Sequence, residues 1–345
     1  MLALCAAAAC AVSPLSESTA DAERRLVRLL TPCANACSNH SYYGGLRGDG
    51  VYLMCQSAME TPGTISAALS FGVRGKDLWG YDVNRRLKVP VHGFDCFSTK
   101  MKPVPAGVDF QFHPQCIGAR TEKVNGKEFL SVDAIVDRYK LARPRGAAPH
   151  LLFKMDIEGF EYSAVPTIDP HVLKQFHTLV FEVHGITRPG VPIMGQVRTM
   201  TGKQRGPWGV GTVGVKERAS EVADFVEYLQ KAGFVLTTVH SNNLWGAAKM
   251  SGRVVPNFFD VTFVHRDALP AGFQCEPMTP AQMYAQHRGH NVWKGEEVPA
   301  LMPWPDPRLQ GDQLAFALEQ EDTARSVQLR LASACYTNCQ HCMPV

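Results

Sequence analysis

The segment LLFKMDIEGFE, residues 151–161, carries the strongest signal in the chain. Three apolar residues lead through Lys154 and Met155 to Asp156, and two glutamates follow within five positions. A short apolar run bounded by turn residues predicts a buried strand of a parallel sheet. The carboxylates would then lie at the carboxyl end of that strand, where open α/β sheets bind ligands. The alternative is a solvated acidic turn at a helix start.

Two further strands are predicted upstream, in TISAALSFG (64–72) and VHGFDCF (91–97). The first ends at Gly72, and Asp95 follows 23 residues later, near the end of the second. A strand, a glycine turn, a helix and a strand that ends in an acid are typical of a nucleoside-binding βαβ unit. Turn glycines and a surface acid remain the alternative for this unit.

The segment HTLVFEVHG (177–185) predicts another strand, and it brings Glu182 and His184 to the same edge. FVLTTVH (234–240) and FFDVTFVH (258–265) predict a closing pair of strands. Because their connection is short, this pair can be antiparallel. We expect a turn through Asn242, Asn243 and Gly252 to join them.

Helices are predicted from apolar stripes and capping residues. They cover residues 19–30, the segment capped by Ser131, the stripe from Val222 to Leu229 that ends at Gly233, and a start at Thr279–Pro280.

The composition is that of a globular protein, with 345 residues, 45% hydrophobic and 19% charged. A net charge of +3 is too small to indicate nucleic-acid binding, so small-molecule or protein partners are expected.

Residues 1–17 begin with an apolar run of 11 residues, 2–12, which suits a signal peptide and is too short to span a membrane. No other stretch is apolar enough for a membrane helix. Eleven cysteines fit disulfides in a secretory or extracellular protein. The alternative is a cytosolic or organelle-targeted tail, and the disulfide connectivity stays open.

Residues 185–217 differ from the rest, because residues 185–216 hold eight glycines, three prolines and five basic residues but no acid. A structureless segment this long in a compact domain is usually functional or disordered. A lid is one interpretation, with Trp208 stacking on a flat group and Arg205 holding an anionic one. A disordered insertion is the other.

Several motifs together resemble class I S-adenosylmethionine-dependent methyltransferases, and more narrowly the FkbM-type group. They are SFGVRGKDLWGYD (70–82), KMDIEGFE (154–161), Asn242–Asn243, FDVTFVHR (259–266) and the Gly-Asp-Gly element that begins at Gly48. The resemblance implies an α/β fold, Rossmann-like and doubly wound, with a mostly parallel seven-stranded sheet and an antiparallel closing strand. Irregular extensions are expected at both ends.

The resemblance also implies a domain division. Residues 18–47 form an N-terminal helix and cysteine segment, residues 48–266 the methyltransferase domain, and residues 267–345 a C-terminal extension with a cysteine-rich tail.

The implied activity is methyl transfer from S-adenosylmethionine to a hydroxyl on a sugar, glycan or small molecule. The expected cofactor-binding residues are Gly72, Gly75, Asp77, Asp95 and Asp156. The expected catalytic residues are His184 as general base, Asp156 at the cofactor–substrate junction, and Glu158, which either lines the acceptor pocket or orients Asp156. Glu182, which is also a competing base, Trp208 and Arg205 are expected to bind substrate, and no metal ligand is assigned.

Two alternatives remain. The family usually has two glycines one residue apart, whereas two residues separate Gly72 from Gly75, which favours a non-catalytic binding or scaffold protein.

The tail CYTNCQHC (335–342) has the cysteine spacing of radical S-adenosylmethionine enzymes but lies at the wrong end of the chain. With His341 it also offers zinc ligands, although disulfides or free thiols fit it better.

Overall fold

A seven-stranded sheet forms the centre of the molecule. The computed structural model describes residues 18–45, 50–97, 100–124, 126–184, 215–241, 247–250, 253–256, 259–286, 292–293 and 296–297. The strands of the central sheet are β3 (Ala67–Phe71), β4 (Val91–Phe94), β5 (Phe110–His113), β9 (Leu151–Met155), β10 (Phe176–Val183), β11 (Phe234–Ser241) and β14 (Phe259–His265).

The strand order across the sheet is β11-β14-β10-β9-β3-β4-β5. Only β14 is antiparallel to its neighbours β10 and β11, and all other adjacent pairs are parallel. The prediction of an α/β fold with a mostly parallel seven-stranded sheet is therefore confirmed. The strand order reverses between β3 and β9, so the crevice expected for a ligand lies at the carboxyl ends of these two strands.

Both faces of the sheet are buried, which explains why its strands are almost continuously apolar. Alternate residues of a strand enter different cores, because successive side chains point to opposite faces. Leu69 and Phe71 pack into the larger core, whereas Ala68 packs into the smaller one on the other face.

Helices cover both faces of the sheet. They are α1 (Thr19–Leu29), α2 (Gln56–Met59), α3 (Leu78–Leu87), α4 (Val132–Arg138), α5 (Glu161–Ala164), α6 (Pro170–Leu173), α7 (Val215–Lys231) and α8 (Pro280–Gln286), with 3-10 turns at Val165–Thr167 and Arg266–Ala268. Helices α1, α4 and α7 contribute to the larger core, and α3 contributes to the smaller one. Ser131 caps α4 as predicted, since its hydroxyl accepts from Ala134 N–H.

Smaller sheets flank the central one. They are formed by β1 (His40–Tyr43) with β2 (Tyr52–Cys55), by β6 (Cys116–Ile117), β7 (Glu122–Val124) and β8 (Lys127–Leu130), by β12 (Ala247–Met250) with β13 (Arg253–Pro256), and by β15 (Val292–Trp293) with β16 (Glu296–Glu297). The expected turn residues Asn242, Asn243 and Gly252 lie outside the described residues, and an antiparallel pair that was not predicted, β12–β13, lies between β11 and β14. The pattern missed it since only Val254 and Val255 in these strands are β-branched.

Parts of both extensions pack on the domain, and Met283 of α8 belongs to the larger core. Arg25 of α1 forms ion pairs with Asp224 at 2.7 Å and Glu227 at 3.3 Å on α7. Cys33 N–H donates to the carbonyl oxygen of Leu236 on β11 at 2.9 Å. Helix α1 is therefore packed against α7, and the segment after it is bonded to the sheet.

Within the described part of the chain there are three disulfides, Cys33–Cys275, Cys37–Cys55 and Cys96–Cys116. Three disulfide-bonded pairs suggest an extracellular or secretory environment, because reducing compartments keep thiols free. The other cysteines lie outside the described residues; they are Cys5, Cys10, Cys335, Cys339 and Cys342.

Some predicted segments have no described structure. Residues 1–17, the cysteine-rich tail and residues 185–214 lie outside the described part of the chain. The predicted Gly-rich segment is too long at its end, because α7 already begins at Val215. Among the described residues, no helix has the length and apolar character needed to cross a membrane.

Acid is expected to destabilise the fold through His177, a buried residue of β10. Burial, together with the neighbouring His265, lowers the pKa of His177 to about 4, from about 6.5 when unfolded. The stability that the neutral ring contributes is present above pH 6.5 and is lost as the pH falls towards 4. A full shift corresponds to about 3 kcal/mol.

Urea denaturation at several pH values between 7.5 and 4.5 tests this expectation. His177→Gln should flatten the fall in unfolding free energy over that interval, whereas His171→Gln at an exposed position should leave it as in the wild type. Equal pH slopes for wild type and His177→Gln would contradict it.

Candidate functional site

A cavity of about 670 Å³ opens at the carboxyl ends of the central strands. Seven predicted site residues line it, namely Gly72, Asp77, Asp95, Asp156, Glu158, Glu182 and His184. Gly75 is not a lining residue, although its neighbours Arg74 and Lys76 are. Trp208 and Arg205 lie outside the described residues. One sheet edge thus gathers the predicted glycine turn and the predicted ionisable groups.

Gly72 lies where β3, β4 and β9 come together. Its N–H donates to the carbonyl oxygen of Phe94 at 2.9 Å, and its φ of +81° is in the left-handed region that favours glycine. A Cβ at this position would clash with the carbonyl oxygen of Asp156. The glycine is therefore required by strand packing as well as by the turn.

Asp95 holds the glycine turn in place. One carboxylate oxygen accepts from Arg74 N–H at 2.7 Å, and the other accepts from Phe97 N–H at 2.7 Å. The acid at the end of β4 is thus a structural residue of the loop that also faces the cavity.

Lys154 is a buried cation that the sequence interpretation did not assign to the site. Its side chain is 4% exposed, and Nζ donates to the carbonyl oxygens of Phe71 at 3.3 Å and Gly72 at 3.0 Å. Nζ also lies 3.2 Å from Asp156 Oδ2. The available sequence signal was a lysine inside an otherwise apolar strand. Because an isolated buried charge is costly, such a lysine is expected to have an acidic partner.

The Lys154 ammonium sets the charge of Asp156. Burial acts to raise the pKa of Asp156, but Lys154 and then His184 outweigh it and lower that pKa below its ordinary value. The Tyr52 hydroxyl donates to the same Oδ2 at 3.4 Å. Asp156 is therefore an ionised carboxylate held in position from two sides.

Asp77 caps helix α3 beneath this pair. Its Oδ1 accepts from Gly80 N–H at 2.9 Å, and the residue is 4% exposed. Burial raises the pKa of Asp77, and the charge of Lys154 opposes that rise. The observed hydrogen bond of Asp77 is thus to the first turn of α3. This capping role is enough to explain an aspartate at this position, and no ligand is required.

His184 follows β10 and is surrounded by carboxylates. Its Nδ1 lies 3.1 Å from Glu161 Oε1, and its Nε2 lies 3.5 Å from both Asp156 Oδ1 and Glu182 Oε2. Burial acts to lower the pKa of His184, but Glu161 and Glu182 outweigh it and raise the pKa well above its ordinary value. With these neighbours alone, the ring carries a proton at neutral pH. The predicted general-base role requires a neutral ring, so this arrangement does not support it.

Glu182 is also protonated at neutral pH in this surrounding. Burial and then Asp156 raise the pKa of Glu182 to about 8, although His184 opposes the shift. It faces Asp260 of β14 in the strand register. Asp156, whose pKa is lowered, therefore lies next to His184 and Glu182, whose pKa values are raised.

The backbone turn after β9 directs the side chain of Glu158 towards His184. Glu158 and Gly159 have φ values of +59° and +96°, and for a non-glycine residue the left-handed conformation costs about 1–2 kcal/mol. It places Glu158 Oε2 3.8 Å from His184 Nε2. A strained residue in a cavity wall is a reason to suspect function.

Sequence reasoning assigned no role to Glu161 or Tyr52. Glu161 is fully buried behind His184, and its Oε1 also accepts from Ile157 N–H at 2.8 Å. Its place in the DIEGFE motif was the available signal. No local pattern identifies Tyr52, because it reaches Asp156 from another sheet.

Comparison with known proteins adds no identification, since the chain matches no protein-family model and no curated protein.

Proposed function

We propose that this protein is an S-adenosylmethionine-dependent methyltransferase that methylates a hydroxyl oxygen of a sugar, glycan or small molecule. The observation that carries the proposal is that two groups of residues line one cavity. They are the Gly72 turn with Asp95, and the cluster of Asp156 and His184. The motifs that resemble FkbM-type enzymes supply residues of both groups.

The sheet supports the proposal independently of those motifs. A strand order that reverses at β3 and β9 and closes with antiparallel β14 fits a Rossmann-like, doubly wound methyltransferase domain. In such a domain the nucleoside end of the cofactor would lie against Gly72 and Asp95. Residues that hold the acceptor would come from the turn after β9 and the end of β10.

The chemistry requires little beyond alignment. The acceptor oxygen forms a bond to the methyl carbon, the carbon–sulfur bond breaks, and its electron pair remains on sulfur in S-adenosylhomocysteine. The hydroxyl proton passes to a carboxylate of the cluster, and Asp156 is the ionised one. Lys154 and Tyr52 fix the orientation of that carboxylate, which is the positioning that such a reaction needs.

Titration calorimetry with S-adenosylmethionine is the first test. Wild-type protein should bind it, and Asp95→Ala should weaken binding about 100-fold, because the variant loses charge-assisted hydrogen bonds to ribose and to the glycine turn. Asp109→Ala, at an exposed position just before β5, is the matched control and should bind as the wild type does. Thermal unfolding of each variant checks that it is folded.

A non-catalytic binding protein is the second candidate. Arg74 favours it, because this extra residue of the glycine turn lines the cavity with a φ of +41°. Transfer of labelled methyl into a panel of glycans and small alcohols separates the two. Binding without transfer to any acceptor supports the scaffold, and a folded protein that does not bind the cofactor contradicts the enzyme.

A further inference from the structure

Three side chains in the cavity wall present ligand atoms to a common point. One atom each from Asp156, Glu158 and His184 lies within 4.8 Å of the other two. From His184 Nε2 the distances are 3.5 Å to Asp156 Oδ1 and 3.8 Å to Glu158 Oε2. The set therefore combines one imidazole nitrogen with two carboxylate oxygens.

These separations fit a shared cation better than direct hydrogen bonds. An N–H···O bond spans about 2.7–3.2 Å between heavy atoms. Ligands about 2.1 Å from a tetrahedral metal ion lie roughly 3.4 Å from each other. The observed nitrogen–oxygen distances are slightly longer than that edge, and the two carboxylate oxygens lie within 4.8 Å of each other, so side-chain movements would close the set on an ion.

A carboxylate behind the histidine provides a separate indication. Glu161 lies outside the three-residue set and approaches the opposite ring nitrogen, Nδ1, at 3.1 Å. Histidines that bind metals almost always donate their second N–H to such a group, which directs Nε2 towards the ion. Glu161 is itself held by Ile157 N–H, so it is a fixed second layer.

The oxygen donors around the histidine also favour a metal ion. Among the described residues, carboxyl groups of Asp156, Glu158, Glu161 and Glu182 lie within 4 Å of the His184 ring, and a bound ion would displace the protons that His184 and Glu182 hold without it. The Lys154 ammonium contacts the far oxygen of Asp156, Oδ2, and leaves Oδ1 on the histidine side. The cavity gives an ion from solvent access to this point, since all three residues of the set line it.

We propose that Asp156, Glu158 and His184 bind a divalent transition-metal cation of the Mn²⁺ or Zn²⁺ type. Mg²⁺ and Ca²⁺ fit the set less well, because they favour oxygen ligands alone and this one contains an imidazole. Three protein ligands leave coordination positions open towards the cavity. The role of the ion rests on the proposed function: it binds the acceptor hydroxyl, most readily one with an adjacent second oxygen, and makes it easier to deprotonate.

Metal binding is tested on the full chain, freed of metal with a chelator and then titrated. Loss of the free Mn²⁺ resonance signal measures Mn²⁺ binding, and calorimetry measures Zn²⁺ binding. Wild type should bind one equivalent saturably, and Glu158→Gln should weaken binding at least about 10-fold, as Asp156→Asn and His184→Gln should. Glu158→Gln is the most informative variant, since its side chain is 51% exposed and the fold should tolerate the change.

Glu60→Gln, at an exposed glutamate that does not line the cavity, is the matched control and should bind as the wild type does. Absence of saturable Mn²⁺ and Zn²⁺ binding in folded wild type overturns the proposal, and so does unchanged binding in Glu158→Gln. Titration of the metal-free protein with S-adenosylmethionine keeps the two proposals apart. Cofactor binding without metal binding removes only the metal site, and metal binding without cofactor binding removes only the proposed methyl transfer.

Discussion

Lys154→Met is expected to lower the free energy of unfolding by about 3–5 kcal/mol, the usual result of removing one partner from a buried ion pair. Methionine keeps the unbranched stem, so little packing volume is lost and the charge is the main change. The variant leaves the Asp156 carboxylate without its ammonium in a buried wall. It also deprives the carbonyl oxygens of Phe71 and Gly72 of a donor.

The electrostatics of the site support this magnitude. Burial acts to lower the pKa of Lys154, but Asp156 and then Asp77 outweigh it and raise the pKa above its ordinary value. The attraction between the ammonium and these two carboxyl groups is thus larger than the cost of burying the charge. Its removal should raise the pKa of Asp156, and methyl transfer should fall together with stability.

Urea denaturation followed by circular dichroism measures the effect. Lys231→Met is the matched control, because Lys231 pairs with Glu227 at 3.5 Å but its side chain is 73% exposed. An exposed pair contributes about 0–1 kcal/mol. The double variant Lys154→Met/Asp156→Asn should recover part of the loss, since it removes the uncompensated charge. If Lys154→Met costs no more than Lys231→Met, the buried pair does not stabilise the fold.

The elements of the central sheet were predictable because their signals are local. Apolar runs that end in glycine or an acid mark β3, β4, β9 and β10, and the carboxyl ends of parallel strands must share an edge. That rule alone brings Gly72, Asp95, Asp156 and His184 to one cavity. The pair β12–β13 was missed because its strands are short and its alternation is weak.

The chemistry of the site depends on contacts that sequence cannot supply. The carboxylate behind His184 was visible only as the last letter of a motif, yet Glu161 and Glu182 determine whether the ring is charged. Tyr52 reaches Asp156 across 104 positions of sequence. The disulfide Cys33–Cys275 spans 242 positions. Such pairs are fixed by packing and not by spacing.

Gly72 shows how a residue can be identified for only part of its role. The sequence suggested a glycine so that a ligand could approach the backbone. The structure adds a second requirement, since the Asp156 carbonyl occupies the space where a Cβ would be. The two requirements lead to different expectations: a ligand-only role predicts loss of binding, and a packing role predicts loss of stability.

Gly72→Ala is therefore expected to cost about 2–5 kcal/mol of stability. Alanine at a φ of +81° costs about 1–2 kcal/mol, and overpacking adds about 1–3 kcal/mol. To relieve the clash, β3 and β9 must separate at this end, which weakens the bond of 3.1 Å from Asp156 N–H to the Phe71 carbonyl oxygen. The shift would also displace the Asp156 carboxylate from Lys154.

Gly63→Ala separates the two contributions to that cost. Gly63 has a nearly identical φ of +83°, but a Cβ there would meet nothing within 4 Å. It should cost only the conformational part, about 1–2 kcal/mol. Denaturation midpoints and soluble yield of the two variants, measured side by side, give the difference that belongs to contact with Asp156. Equal losses of stability in both variants would mean that β3 and β9 can separate at this end with no loss of free energy. The packing role of Gly72 would then be wrong.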